Sequence, residues 1–221
     1  MSESKKEIIR TIQKMSGKYS SDAIFADWVM CTAIAIQNAL CMVHDSAWED
    51  REKQYINTMK KYTKKEQEEF SKMFILLSYA YEDNISDVLG EIYMELECGS
   101  KQTGQFFTPF HVSELTAKMS IPKNISTENK LVLNEPSVGG GGMIIATAKT
   151  LQERGLNYQK CMVVTAQDLD WRSVYMTYVQ LSLLGIDAEV VQGDTLSEPY
   201  VHGEYPKEHV FKTPARMGMM I

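Results

Sequence analysis

The feature that most constrains this chain is an apolar segment followed by a glycine run. Leu131, Val132 and Leu133 precede Asn-Glu-Pro-Ser-Val, and four consecutive glycines occupy 139–142. Glycine has no Cβ, so such a run lets the backbone take positive φ and approach a ligand closely. The apolar residues 143–148 predict a helix whose N-terminal amides point into the turn. We therefore expect a strand, a glycine turn and a helix start, with a flexible surface turn as the alternative.

Two further strands are predicted after this turn. Cys161–Gln167 ends at Asp168, and Ala188–Gln192 is followed by a Gly-Asp-Thr-Leu sequence that contains Asp194. In a doubly wound sheet, an acid at such a strand end can accept hydrogen bonds from ribose hydroxyls, and a second acid can accept from an adenine amino group. Taken alone, each acid is more often a helix cap or a turn residue. Their shared place at successive strand ends favours a nucleotide-like ligand.

Two common nucleotide-binding motifs are excluded. The phosphate loop G-x-x-x-x-G-K-[ST] does not occur in the chain. The dinucleotide pattern G-x-G-x-x-G fails because Ile144 occupies its third glycine position, counted from Gly139. The ligand must therefore be recognised by another kind of glycine loop.

Four segments resemble the DNA adenine methyltransferases of the type I restriction-modification kind, which bind S-adenosylmethionine. They read G-Q-F-F-T-P at 104–109, E-P-S-V-G-G-G-G at 135–142, A-Q-D-L-D at 166–170 and G-D-T-L at 193–196. The first is similar to the family's G-Q-F-[FY]-T-P signature. The second is similar to D-P-A-C-G-S-G-G, with Glu135 in place of Asp and Gly140 in place of Ser. The third is similar to G-Q-E-x-[DN]. The resemblance covers roughly 91–200, and order and spacing agree with the family.

The resemblance implies S-adenosylmethionine as the cofactor and assigns its contacts. The first segment would contact the methionine part, Asp168 the ribose and Asp194 the adenine. The cofactor-binding residues implied are Phe106, Phe107, Thr108, Pro109, Glu135, Pro136, Ser137, Gly139, Gly141, Asp168, Leu169, Asp194 and Thr195. No metal site is expected, because the four cysteines and four histidines are scattered without metal-ligand spacing. The cysteines are expected to be reduced core thiols.

The family's catalytic motif has no counterpart in the sequence. Family members carry N-P-P-[FYW] at the end of the fourth strand, where Asn and a proline carbonyl accept hydrogen bonds from the target amino group and the aromatic ring stacks on the flipped base. At the corresponding place this chain reads H-V-F-K-T-P-A, at 209–215. Lys212 or Thr213 would replace the Asn, and an ammonium group cannot accept hydrogen bonds. We therefore predict no catalytic residue in this chain.

The expected fold is α/β, with a helical N-terminal region at 1–98 and a Rossmann-like methyltransferase domain at 104–221 whose sheet ends after about four strands. In the first region, Ser21-Asp22 is expected to cap a helix, and Thr63 with Glu66 forms a capping box for another. A four-stranded sheet would leave an open edge, and the apolar tail 217–221 is expected to pair there with a partner polypeptide or a second copy. A frayed terminus is the alternative.

Charge and hydropathy limit which partners and which location can be expected for this chain. The chain has 23 basic and 29 acidic residues, and only 1–65 is mildly basic, with 11 against 8. The cluster 60–65 has an aromatic residue inside it and is a candidate DNA contact, although such a run is usually a solvated helix end. The longest apolar stretch, 30–43, is interrupted by polar residues, so no membrane span or signal peptide is expected and the predicted location is the cytoplasm.

Three functional hypotheses follow from the sequence. The first is an S-adenosylmethionine-binding member of the methyltransferase family that is inactive alone and acts as a subunit or regulator in DNA modification. The second is a half-enzyme that is completed when another polypeptide supplies the missing strands and the N-P-P-[FYW] loop. The third is an interaction protein that keeps the fold but has lost the cofactor.

Overall fold

The structure, a computed structural model, describes residues 2–97 and 107–219. These residues fall into two compact units, one formed by 2–84 and 88–97 and the other by 85–87 and 107–219. The boundary expected from the sequence, between 98 and 104, lies outside the described residues. The α/β class predicted from the sequence is confirmed, because the first unit is helical and the second contains the sheet.

The first unit is made of helices only among its described residues. They are α1 (Glu3–Met15), α2 (Ser21–Leu40), α3 (Ser46–Met59), α4 (Lys64–Asp83) and α5 (Val88–Glu97). Helix α1 packs on α4, α2 and α5, and α3 packs on α2. Trp28 lies at the centre of the core, and its indole N–H donates to the carbonyl of Phe70 over 3.1 Å. The apolar faces therefore serve as the core of this unit, as their helical spacing predicts.

The start of α4 follows the sequence prediction, whereas the start of α2 differs by one residue. Glu66 N–H donates to the Thr63 hydroxyl, and Thr63 N–H donates to the Glu66 carboxylate over 2.7 Å, which completes the predicted capping box. At α2 the prediction of Ser21-Asp22 as the cap is wrong, because Ser20 holds the extended backbone and accepts from Ala23 N–H. Asp22 lies in the first turn, where its charge complements the helix dipole.

Helix α2 is the one helix in the described ranges that is long and apolar enough to cross a membrane by length and composition. A helix of this length and apolar composition was not expected from the sequence. Half of its most apolar stretch is buried inside the protein, as in the core helix of a folded domain, which passes the same test. Its length alone therefore gives little support for a membrane location.

The second unit combines four helices with a four-stranded sheet in its described part. Its elements are α6 (Phe110–Ser120), β1 (Leu131–Glu135), α7 (Gly142–Glu153), α8 (Tyr158–Cys161), β2 (Met162–Asp168), α9 (Trp171–Leu183), β3 (Asp187–Gln192) and β4 (Val210–Lys212), with a short 3-10 turn at Lys207–His209. Helix α6 packs on α7, and α9 packs on β2 and β3. The predicted strands and helices all form, with ends shifted by one or more residues.

The strands lie in the order β1-β2-β3-β4, and the first three are parallel. Leu131 pairs with Met162, and Val164 pairs with Ala188, so the carboxyl ends of the three strands meet at one edge. Strand β4 runs antiparallel to β3, with Phe211 opposite Val190. This direction brings the end of β4 to the amino end of β3.

The antiparallel direction of β4 determines where the segment that follows it lies. Thr213, which follows β4, is fully buried, donates to the Ile186 carbonyl over 2.7 Å and accepts from Ala188 N–H over 3.1 Å. Ile186 immediately precedes β3, and Ala188 is its second residue. The segment 209–215 therefore leads away from the glycine turn, towards the amino end of β3. The sequence did not predict the direction of β4, because strand direction depends on long-range pairing.

Candidate cofactor site at the carboxyl edge of the sheet

The glycine turn between β1 and α7 requires its glycines for two different physical reasons. Gly139 and Gly141 have φ of 56° and 94°, in the left-handed region that side chains rarely adopt. Gly140 and Gly142 have ordinary φ but no space, because added Cβ atoms would lie 3.3 Å from the Met176 methyl group and 3.0 Å from the Asp87 carboxylate. The turn is therefore tightly specified, which contradicts a flexible surface turn.

Asp168 joins the end of β2 to this turn. One carboxylate oxygen accepts from the amide of Gly139 over 2.8 Å, and the other accepts from the amide of Asp170 over 2.9 Å. A carboxylate can accept about four hydrogen bonds, so each oxygen keeps acceptor capacity after these two. Asp168 is half-buried and faces the turn.

Helix α9 holds the glycine turn through side chains that were not predicted from the sequence to contact it. The Thr177 hydroxyl donates to the Gly139 carbonyl over 2.9 Å, and the Gln180 amide donates to the Gly140 carbonyl. The same amide group reaches the carboxylate of Asp87 over 2.8 Å. All three side chains are buried. The signal available in the sequence was the presence of polar residues at i and i+3 between the apolar residues of this helix, since buried polar groups need partners.

The loop after β3 is bonded to both other loops. Gly193 N–H donates to the Asp168 carbonyl over 2.9 Å, and the Thr195 hydroxyl donates to the Pro136 carbonyl over 2.6 Å. Asp194 is exposed, and its carboxylate accepts from Leu196 N–H over 3.0 Å. This backbone bond lowers the pKa of Asp194. The ends of three successive strands therefore form one hydrogen-bonded surface.

Glu135, the last residue of β1, is the carboxylate at this edge that burial perturbs most clearly. It is half-buried, and burial raises its pKa, while a bond from the backbone of Ser137 offsets only part of that rise. A partly desolvated carboxylate with few donors gains from a cationic partner. A perturbed carboxyl group at the end of a parallel strand is also typical of a ligand site.

Two large apolar side chains project from this edge into solvent. Leu169 follows β2 and is 66% exposed, and Leu196 lies in the loop after β3 and is 95% exposed. Leu169 was predicted as a cofactor-binding residue, whereas Leu196 was not. Exposed leucines at successive strand ends can cover the faces of a flat apolar ring, which otherwise has no partner in this polar surface.

The remaining predicted residues fall into three groups. Phe107 lies against the glycine turn, and a Cβ on Gly139 would be 3.0 Å from its ring. Thr108, Pro109, Pro136 and Ser137 are exposed, and Pro109 precedes the first turn of α6. Phe106 lies outside the described residues. Among the residues the structure describes, no group of three or more His, Cys, Asp or Glu could hold a metal ion.

The carboxyl edge of the sheet thus brings together the carboxylates of Glu135, Asp168 and Asp194 and the exposed side chains of Leu169 and Leu196. The family model described as N-6 DNA Methylase matches residues 82–215, which is more than half of the chain and includes all three loops. No curated protein matches the chain.

Proposed function

Because the chain belongs to the N-6 DNA methylase family, we propose that it binds S-adenosylmethionine at the carboxyl edge of its sheet. The observation that carries this proposal is the bonding of the loops after β1, β2 and β3 through Gly139, Asp168 and Thr195. Bound S-adenosylmethionine supplies an electrophilic methyl group. A function related to DNA adenine methylation follows from the family, and we propose a cytoplasmic location for it.

The residues at this edge fit the parts of the cofactor. Asp168 would accept hydrogen bonds from the ribose hydroxyls with the lone pairs that Gly139 and Asp170 leave open. Leu169 and Leu196 would cover the adenine, with Asp194 accepting from its amino group. Glu135 would lie near the cationic end, where a positive charge relieves its desolvation. The glycine turn and Phe107 would border the methionine part.

We propose further that the chain does not transfer the methyl group alone but acts as a subunit or regulator of a modification system of the type I restriction-modification kind. The segment 209–215, which chain order aligns with N-P-P-[FYW], follows the antiparallel β4 to the amino end of β3. That end of the sheet is opposite the glycine turn. A target adenine held there could not reach a methyl group at the proposed site.

A second candidate function, the half-enzyme completed by a partner, is favoured by β1. Among the described residues this strand pairs with β2 alone, and its Val132 is 78% exposed. The tail expected to provide the pairing surface is described only as far as 219, and its residues 217 and 218 lie in a turn. We add the edge of β1 that no described strand covers as a second proposed partner surface, because an unpaired strand edge accepts an added strand.

The test measures cofactor binding and methyl transfer separately. Equilibrium dialysis with labelled S-adenosylmethionine should give saturable binding that S-adenosylhomocysteine displaces. Labelled methyl transfer to unmethylated DNA should be absent with the chain alone. Transfer by the chain alone would refute the inactive role, and transfer gained only with a partner would establish the half-enzyme. Absence of binding would refute the proposed cofactor site and favour the interaction protein.

A further inference from the structure

A polar segment, which we call the strap (residues 194–205), leaves the site and is held by two buried side chains of the sheet. It begins with Asp194 and Thr195 at the carboxyl edge. The first anchor is Gln167 of β2, which is 2% exposed. Its amide nitrogen donates to the Glu198 carbonyl, and its amide oxygen accepts from Tyr200 N–H, each over 3.0 Å. A buried glutamine that bonds two backbone groups of the strap fixes the path of that segment.

The second anchor is Glu189 of β3, a buried carboxylate outside the proposed cofactor site. It is 2% exposed, and one oxygen accepts from the Tyr200 hydroxyl over 2.8 Å and lies 2.9 Å from Nδ1 of His202. The other oxygen lies 3.3 Å from Nε of Arg216 and 3.4 Å from Nζ of Lys212. Asp187, two positions earlier on β3, pairs with Arg216 over 3.3 Å, and Arg216 lies outside the strap.

The far end of the strap returns to the site. The hydroxyl oxygen of Tyr205 lies 1.7 Å from the position that a Cβ on Gly193 would occupy, so the side chain of Tyr205 packs directly on the Gly193 backbone. The ring of Tyr205 also contacts the ring of Tyr200, with centroids 5.6 Å apart. A contiguous series of contacts therefore runs from Glu189 through Tyr200 and Tyr205 to the residue before Asp194.

We propose that Glu189 is a positioning residue for cofactor binding, because its carboxylate holds the strap that fixes Asp194 and Thr195 at the carboxyl edge. This inference rests on the proposed function. An apolar side chain at this strand position would serve the fold at least as well, since burying a charge is expensive even when it is paired. What the carboxylate adds is a fixed attachment for Tyr200 and His202.

The ionisation of Glu189 agrees with this role. Burial by itself raises the pKa of this carboxyl, but the bonds from His202 and Tyr200, with the charges of Arg216 and Lys212, outweigh it and lower the pKa to about 2. The anchor therefore stays charged at neutral and mildly acidic pH. The Tyr200 hydroxyl stays protonated as the donor, because burial and the adjacent carboxylate raise its pKa.

The experiment compares Tyr200→Phe and Glu189→Gln with the control Asp187→Asn, which changes an acid on the same strand that pairs with Arg216. Tyr200→Phe removes one hydroxyl and leaves the buried carboxylate and its cations in place. Hydrogen–deuterium exchange of the free protein reports on the strap, above all the Tyr200 amide. Calorimetry with S-adenosylmethionine reports on the site. Cooperative urea unfolding confirms that each variant is folded.

We expect faster exchange across 194–205 and a Kd raised about tenfold in both variants, as for the loss of a hydrogen bond to a charged group. Asp187→Asn should change neither the exchange across 194–205 nor the Kd. The double variant should add little to either single change, because both break the same contact. If hydrogen exchange across 194–205 is unchanged in Tyr200→Phe, Glu189 does not anchor the strap through Tyr200.

Faster exchange with unchanged affinity would overturn the positioning role and leave the cofactor site intact. Failure of the wild-type chain to bind would overturn the proposed function and the positioning role together, while the exchange data would still show whether Glu189 anchors the strap. The two failures are therefore distinguishable.

Discussion

The amide of Gly139 donates to the carboxylate of Asp168 over 2.8 Å, so the turn after β1 and the end of β2 are bonded to each other. The two residues are 29 positions apart in the chain. Gly139 can present its amide in this direction because its φ of 56° is accessible to glycine. The Asp168 carboxylate thus fixes the turn and, in the proposed function, accepts hydrogen bonds from the ribose hydroxyls.

The first prediction separates backbone strain from crowding in the glycine turn. Gly141→Ala forces an unfavourable φ and brings a Cβ to 3.2 Å from the Thr177 hydroxyl. Its control is Gly155→Ala, where φ is 77° and no atom lies within 4 Å of the new Cβ. Strain alone costs about 1–2 kcal/mol. Urea unfolding should show a larger loss for Gly141→Ala, and equal losses would contradict crowding against α9.

The second prediction concerns the support beneath the turn. Gln180→Ala removes the donor to the Gly140 carbonyl and to Asp87 in a fully buried place. We expect a loss of about 1–3 kcal/mol in the free energy of unfolding, because buried acceptors lose a hydrogen bond. The exposed Gln152 of α7 can be changed to Ala as a control. A loss no larger than that of the control would show that the turn does not depend on α9.

The third prediction assigns the exposed leucines to ligand binding. Leu196→Ala should leave the melting temperature unchanged, since the side chain is 95% exposed and contributes little to the core. If adenine covers it, affinity for S-adenosylmethionine should fall by about 1–2 kcal/mol. Leu115→Ala on α6, which removes a leucine that is 61% exposed, is the control. Equal affinities in calorimetry would exclude Leu196 from the site.

The fourth prediction is a pH dependence set by Glu189. Its pKa is lowered from 4.5 to about 2 in the folded protein, so its ionised form stabilises the fold above about pH 4.5. That contribution is lost as pH falls from 4.5 towards 2, where the folded carboxyl is also protonated. The difference in unfolding free energy between wild type and Glu189→Gln should shrink over this window. A constant difference would contradict the low pKa.

The sequence was informative where structure is local. The glycine turn, three strands and the capping box of Thr63 and Glu66 could be predicted, because each depends on residues a few positions apart. Strand β4 could not be placed, since its antiparallel pairing with β3 depends on Thr213 bonding to the start of that strand. The contacts of Thr177, Gln180 and Glu189 could not be predicted for the same reason. Their partners, Gly139, Asp87 and Tyr200, are distant in the chain or belong to no motif.

Calorimetric titration of wild type, Asp168→Ala and Asp187→Ala tests most directly whether Asp168 belongs to a site for S-adenosylmethionine. Asp187 is a partly exposed acid at the other end of the sheet, and its pair with Arg216 is expected to contribute little to stability. We expect S-adenosylmethionine to bind to wild type and to Asp187→Ala. In Asp168→Ala the free energy of binding should be weaker by about 1.5–3 kcal/mol. Equal affinity in all three proteins, or no binding by wild type, would contradict this expectation.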